Sequence, residues 1–261
     1  MIRPYPGYGD INIMTDGVSS NYNALQATLN RRYASGLEFG VTYTYSKSMD
    51  YDSTTRAAGA TYTPTFLPAT RNYGPSDFNQ TQVMTINWQY DIPGGKAGNK
   101  LVSGVTRNWQ ISGVASFSDG VPLTITPTLL ANTLGGGDYQ RVNVTCNPNY
   151  GRFDRSANSY FNTACVQYPG ATYGNEGRNV INGPGRNNFD FSLFRNFKLG
   201  AEQRVLTFRW EAYNAFNHTQ FNTIDTSPRY STTGAQIDTT FGQALSAYPA
   251  RQLQFSLRLR F

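Results

Sequence analysis

Hydrophobic and polar residues alternate singly along several stretches of this 261-residue chain, the period-two signature of β-strands with two unlike faces. Leu37, Phe39, Val41, Tyr43 and Tyr45 alternate with Glu38, Gly40, Thr42, Thr44 and Ser46. Met84, Ile86, Trp88, Tyr90 and Ile92 do the same across 84–92, and Trp109, Ile111, Gly113, Ala115 and Phe117 across 109–117. Phe189, Phe191 and Leu193, then Leu206, Phe208, Trp210 and Ala212, mark two more strands. The pattern closes on Leu253, Phe255, Leu257, Leu259 and Phe261. Residues 22–33 add a strand with Leu25, Ala27, Leu29 and Tyr33 on one face, and 8–16 offer an eighth. These segments run about 9–13 residues, the length that crosses a bilayer when tilted.

The connections carry a second pattern. Ala34-Ser35-Gly36, Pro93 to Asn99 and Leu199 to Gln203 are short, whereas 47–77, 118–187 and 217–250 are long and polar. Short and long connections alternate strictly. A transmembrane β-barrel gathers its long loops on the outer side and its short turns on the periplasmic side, while an ordinary sandwich has no such requirement. The charges on the apolar faces are Arg31, Arg107 and Arg195. All three fall near the short-turn ends, where a long Arg can snorkel to the interface. Trp88, Tyr90, Trp109, Tyr43 and Tyr45 fall near strand ends, where aromatic girdles belong. The opposite faces carry Glu38, Thr42, Asn87, Gln89, Asp190, Arg209, Glu211 and Arg258, as a wet lumen allows, and these charges are expected to pair across strands or to touch a plug.

Composition agrees. Aromatic residues make up 14% against 15% charged, which fits disorder poorly. No run of apolar residues exceeds three, so a transmembrane helix is excluded and a transmembrane strand is not. The net charge of +6 is spread without a basic run, so no nucleic-acid partner is expected. Met1-Ile2-Arg3-Pro4-Tyr5-Pro6 lacks an apolar core, so no signal peptide is expected at this start. The fold expected is all-β: an antiparallel transmembrane β-barrel portion of about seven or eight strands occupying 1–261. A soluble sandwich with one solvated face is the alternative.

Several segments resemble a known family. Gln252 to Phe261 is similar to the C-terminal strand of bacterial outer-membrane barrels, an alternating strand ending in Phe that the barrel-assembly machinery reads. Leu253, Phe255, Leu257, Leu259 and Phe261 carry that likeness. Arg71-Asn72-Tyr73-Gly74-Pro75-Ser76-Asp77-Phe78, followed by a strand and Tyr90-Asp91-Ile92-Pro93, resembles a motif of Oar-like TonB-dependent receptors of the acidobacterial type. Gly183-Pro184-Gly185 through Leu193, and Arg209 through His218, resemble two further motifs of those receptors. The resemblance implies an outer-membrane receptor that binds or imports a bulky solute, contacts lipid, and works with a plug and TonB. It also implies a barrel of about 22 strands, of which this chain would be the C-terminal third. A complete eight-stranded barrel acting as pore or adhesin is a second reading, and a secreted carbohydrate-binding β protein a third.

Candidate chemistry is sparse. Cys146 and Cys165 fall in the longest loop, where an oxidising exterior favours a disulfide; two free thiols are the alternative. His218, the sole histidine, has no nucleophile motif beside it, so no catalytic residue is assigned and the residue is expected to satisfy backbone groups at the rim. Asp50, Asp52 and Asp77 lack the spacing of a calcium loop, so no metal is expected, and neither Gly135-Gly136-Gly137 nor Gly183-Pro184-Gly185 has phosphate-loop spacing. No cofactor is expected. Tyr139, Tyr150, Tyr160, Tyr168 and Tyr173 are loop aromatics that either stack on a ring-bearing solute or only cap the barrel.

Overall fold

The computed structural model describes Gly7 and residues 17–53, 67–93, 107–129, 140–151, 154–200 and 204–261. The strand expected over 8–16, the Gly135-Gly136-Gly137 run, Tyr139 and most of two short turns lie outside them. Seven long strands form one antiparallel sheet: β1 (Asn21–Ala34), β2 (Leu37–Asp50), β3 (Gln82–Ile92), β4 (Trp109–Ser118), β5 (Arg186–Lys198), β6 (Val205–Tyr213) and β7 (Gln252–Arg260). Each pairs with the next in chain order. Among the described residues, β1 has no partner beyond β2 and β7 none beyond β6. No described helix is long and apolar enough to cross a membrane.

The register explains why alternation was so clean. Tyr43 faces Met84, Met84 faces Phe117, Val41 faces Ile86, and Leu193 lies between Ile111 and Trp210. Apolar positions therefore meet apolar positions across the whole sheet, giving one continuous apolar face. Ring pairs knit it together: Trp88 with Phe191 at 5.9 Å, Trp109 with Phe208 at 6.1 Å and Phe117 with Phe189 at 5.3 Å between centroids. A one-residue slip would turn every one of these side chains to the other face, so the pattern pins the register.

No second protein layer covers this face among the described residues. Leu25 is 66% exposed and Leu257 68%, with Leu29, Phe255 and Leu259 also open. A soluble sandwich would bury such a face against a second sheet. Its exposure marks the surface as one that meets another apolar medium.

The turns and strand ends show local causes. Ser35 (φ 54°) and Gly36 (φ 81°) join β1 to β2 with two positive-φ residues, the geometry whose twist suits a two-residue hairpin. The register shifts between Arg31 and Ala34, so alternation does not carry through to Tyr33. Its hydroxyl donates to Asp91 on the polar face at 2.5 Å, which corrects its expected place beside Leu29. Arg31 reaches toward the turn and donates to the Ala34 carbonyl. Arg195 does not snorkel: it is buried on the apolar face, 5.5 Å from the Trp109 ring and 4.4 Å from Phe197.

The long connections are not plain loops. Strand β2 runs to Asp50 and β5 begins at Arg186, each reaching into a segment expected to be irregular. Beyond the sheet, parts of the connections 119–185 and 214–251 fold around a common core of Ile125, Val142, Tyr160, Phe161, Val166, Ile181, Ile224, Tyr230 and Phe241. Short ladders tie it together, Pro122–Leu123 with Ile181–Asn182, Asn143–Val144 with Val166–Gln167, and Arg229–Tyr230 parallel to Thr128–Leu129. The core of this chain thus sits in a loop layer at one end of the sheet.

Candidate functional site

The residues expected to face a lumen do share one face. Register sets Glu38 beside Gln89, places Asn87 and Asp190 on either side of Val114, and aligns Glu211 with Gln254 and Thr207 with Arg258. Among the described residues, the ion pair on this face runs along one strand. Arg209 bridges Glu211 at 2.7 Å within β6, because residues two apart on one strand share a face. Ser46, Ser48 and Asp50 continue the polar face to the loop end of β2, where they are buried; Ser46 and Ser48 bond to the 76–81 segment and Asp50 to Arg178 of the loop layer.

That docking is built on one guanidinium. Arg178 donates to Asp50, to Asp77 at 2.8 Å and to the Ser53 hydroxyl at 2.6 Å. Asp50 and Asp77, weighed as calcium ligands, do converge, but on Arg178. Among the described residues no group of acidic, His or Cys side chains could hold a metal. Burial alone would lower the Arg178 proton affinity; its bonds to Asp77 and Asp50 outweigh that and raise it. Asn179, at φ 58°, donates to the Pro75 carbonyl and to Asp77, both at 2.7 Å. Ser76 is fully buried and shares a 2.9 Å hydrogen bond with Ser48. The Tyr73-Gly74-Pro75-Ser76-Asp77 motif is therefore the clasp between β2 and the loop layer. Gly74 is needed there, since a Cβ would sit 2.7 Å from the Arg178 carbonyl oxygen.

A second buried cluster lies beside it. Arg141 donates to the Arg71 carbonyl at 3.0 Å, to the Glu176 carbonyl at 3.1 Å and to Asn72 at 2.5 Å. Burial, together with the neighbouring Arg71 charge, lowers its proton affinity. Glu176 is 1% exposed; its Oε1 accepts the Ile125 N–H at 2.8 Å, and its Oε2 has no hydrogen-bond partner. Burial pushes this carboxyl up to about 7, against the opposing pull of that hydrogen bond and of Arg141. Burial and the nearby Glu176 push the Tyr230 hydroxyl up to about 12.

The other two motifs also act at the loop end. A Cβ on Gly183 would lie 2.2 Å from the Val121 carbonyl oxygen, and one on Gly120 would lie 2.1 Å from that of Gly183, so two backbones pass in contact. The Asn214-Ala215-Phe216-Asn217-His218 segment closes β6. Asn214, at φ 47°, donates its backbone N–H to Asp190 at 2.9 Å and its side-chain amide to the His218 and Pro249 carbonyls. The Asn217 side chain accepts from the Arg251 backbone and starts β7. His218 is bound through its main chain, and its side chain is exposed.

Of the loop aromatics, Tyr160 is 5% exposed and belongs to the loop core, as does Tyr168, whose ring packs on Tyr230 at 5.3 Å. The burial of Tyr160 leaves it no ring face for a solute, while Tyr168 is only partly buried. Tyr150 and Tyr173 are half-buried. Cys146 and Cys165 are joined by a disulfide with Cα atoms 5.1 Å apart. A cleft of about 210 Å³ opens on the polar face where β5, β6 and β7 meet the loops, lined by Arg186, Asn188, Asp190, Tyr213, Tyr248 and Gln252. Sequence reasoning missed Arg141, Glu176, Arg178, Tyr213 and Tyr248. Strand periodicity gave no signal for the first three, which lie in loops, and Tyr213 was hidden as the residue that ends β6.

A family model described as an outer membrane beta barrel domain matches residues 1–254. No match appears among curated proteins or among solved structures.

Proposed function

Given that the chain belongs to the outer-membrane β-barrel domain family and resides in the bacterial outer membrane, we propose that it is the C-terminal barrel segment of a TonB-dependent, Oar-like receptor that binds or imports a bulky solute. The observation that carries this reading is the sheet itself: seven meander strands with one uncovered apolar face, open at both described edges and capped at one end by a folded loop layer. An arc of a large barrel needs neighbours on both sides, and the two described edge strands leave room for them. The apolar face meets lipid, the polar face lines the lumen, and the loop layer faces the exterior. The working parts are loops, lumen and an upstream plug, and the role makes and breaks no bond, so it needs no cofactor. Gln252 to Phe261 serve the barrel-assembly machinery as a recognition strand.

The test is the gene around the codon for Met1. An open frame running upstream through further alternating strands, a plug and a TonB-interacting segment is expected. A stop codon and ribosome-binding site directly before Met1 would replace this reading with a self-contained small barrel.

A further inference from the structure

Resting on the reading of the polar face as solute-facing, we infer that the cleft at the loop end of β5, β6 and β7 is a saccharide subsite that takes one neutral sugar ring of a larger solute, with Tyr213 and Tyr248 as its aromatic surfaces. At about 210 Å³ the cleft is smaller than the roughly 300–1,000 Å³ that encloses a drug-sized ligand, so it suits one ring of a longer chain. Both tyrosines are more than two-fifths exposed, unlike Tyr160, which the loop core absorbs. The charges at the cleft are already engaged. The Arg186 guanidinium lies 5.0 Å from the Tyr248 ring centroid, and Asp190 accepts the Asn214 N–H at 2.9 Å. Gln220, buried beneath, accepts the Asn187 N–H and donates to Asn188, which fixes the floor.

The cleft therefore presents amide groups from Asn188 and Gln252, phenolic hydroxyls and aromatic surface, with no unengaged carboxylate–guanidinium pair to recognise a charged ligand. A sugar ring matches that set, because its C–H face packs on aromatic rings and its hydroxyls both donate and accept. An anionic or cationic solute would instead need a desolvated counter-charge.

The full-length receptor that carries this segment, purified into lipid nanodiscs, is titrated calorimetrically with cellotriose, maltotriose and chitotriose. At least one trisaccharide is expected to bind, with Tyr213→Ala and Tyr248→Ala each weakening it at least tenfold and Tyr248→Phe staying within about threefold. Heat-modifiable gel mobility confirms that each variant is folded. Failure of the folded protein to bind any of the three, or equal binding by both alanine variants, overturns the subsite. Saccharide binding that survives while uptake proves independent of TonB would sink the receptor reading alone.

Discussion

Raising the pH should loosen the loop layer through a single carboxyl group. Glu176 is buried, with one oxygen bonded to the Ile125 N–H and the other without a partner, and burial pushes it from its usual 4.5 to about 7. A carboxyl raised in the folded state stabilises that state fully below its unfolded value. The contribution is lost as pH climbs from about 4.5 to about 7 and is gone above it. At about 1.4 kcal/mol per pH unit the full effect is about 3 kcal/mol, of which about 2.5 kcal/mol falls between pH 5 and pH 8. The groups facing it oppose the effect without reversing it: the Ile125 and Val142 backbone N–H groups, Arg141 and Arg71 favour the charged form, while the Tyr230 hydroxyl stays neutral throughout. Amide hydrogen exchange reads this directly. The Ile125 N–H donates to Glu176, and the Thr126 N–H donates to the Thr226 carbonyl at 3.0 Å, so both report opening of the layer. After correction for intrinsic exchange, their opening constant should rise by about 70-fold from pH 5 to pH 8. Glu176→Gln keeps an acceptor for Ile125 but cannot ionise, so its opening constant should be flat. A flat profile in the unaltered protein, or an unchanged slope in the Gln variant, would refute the reasoning.

Removing Arg178 should free the clasp. Arg178→Ala leaves Asp50 buried and unpaired at a cost of about 3 kcal/mol, the low end for a broken buried pair because Asp77 is half exposed and rehydrates. Limited proteolysis of intact outer membranes should then nick the loop segment, and resistance equal to the parent's would contradict this. Leu257→Arg puts a charge in the middle of the lipid face of β7 at about 2–4 kcal/mol and should block membrane insertion; normal surface levels would overturn the face assignment. Replacing Cys146 and Cys165 together with Ser removes the closure of a 19-residue separation, about 3 kcal/mol. Exchange in the loop core should rise while heat-modifiable mobility of the sheet stays unchanged, and melting of both together would show that the two are not separable. Deleting Phe261 should lower the amount of assembled protein, and normal assembly would count against its role as a recognition residue.

The sheet was legible because a strand with one apolar and one polar face writes a period of two, and matching registers let each strand repeat the message. Leu37 to Tyr45 and Leu253 to Leu259 spell it almost without error. The alternation breaks at Tyr33, where the register shifts and no periodicity rule applies, and at Phe194 and Arg195, an apolar residue on the polar face followed by a charge on the apolar one. The loop layer was opaque for a different reason. Its core gathers Ile125, Val142, Phe161, Ile224 and Phe241 from positions far apart in sequence, joined by two-residue ladders too short to leave a pattern. The three motifs stood out as residues while their work stayed hidden. Ser76 and Asp77 matter because Ser48 and Arg178 come to meet them, and Arg178 is about a hundred residues away from both. Tyr160 shows the converse, an aromatic in a polar stretch that looks available for a solute until the fold buries it.

The central claim is that one face of this sheet meets lipid and the other meets water. Spin labels placed singly along β5 at Phe189, Asp190, Phe191, Ser192, Leu193 and Phe194 in reconstituted bilayers test it most directly. Phe194 is the discriminating site, an apolar residue that the register sets on the polar face opposite Gln110 and Arg209. Labels at 189, 191 and 193 should be relaxed by dissolved oxygen, and those at 190, 192 and 194 by an aqueous nickel chelate. Uniform accessibility along the strand, or a label at 194 that reports lipid, would contradict the account.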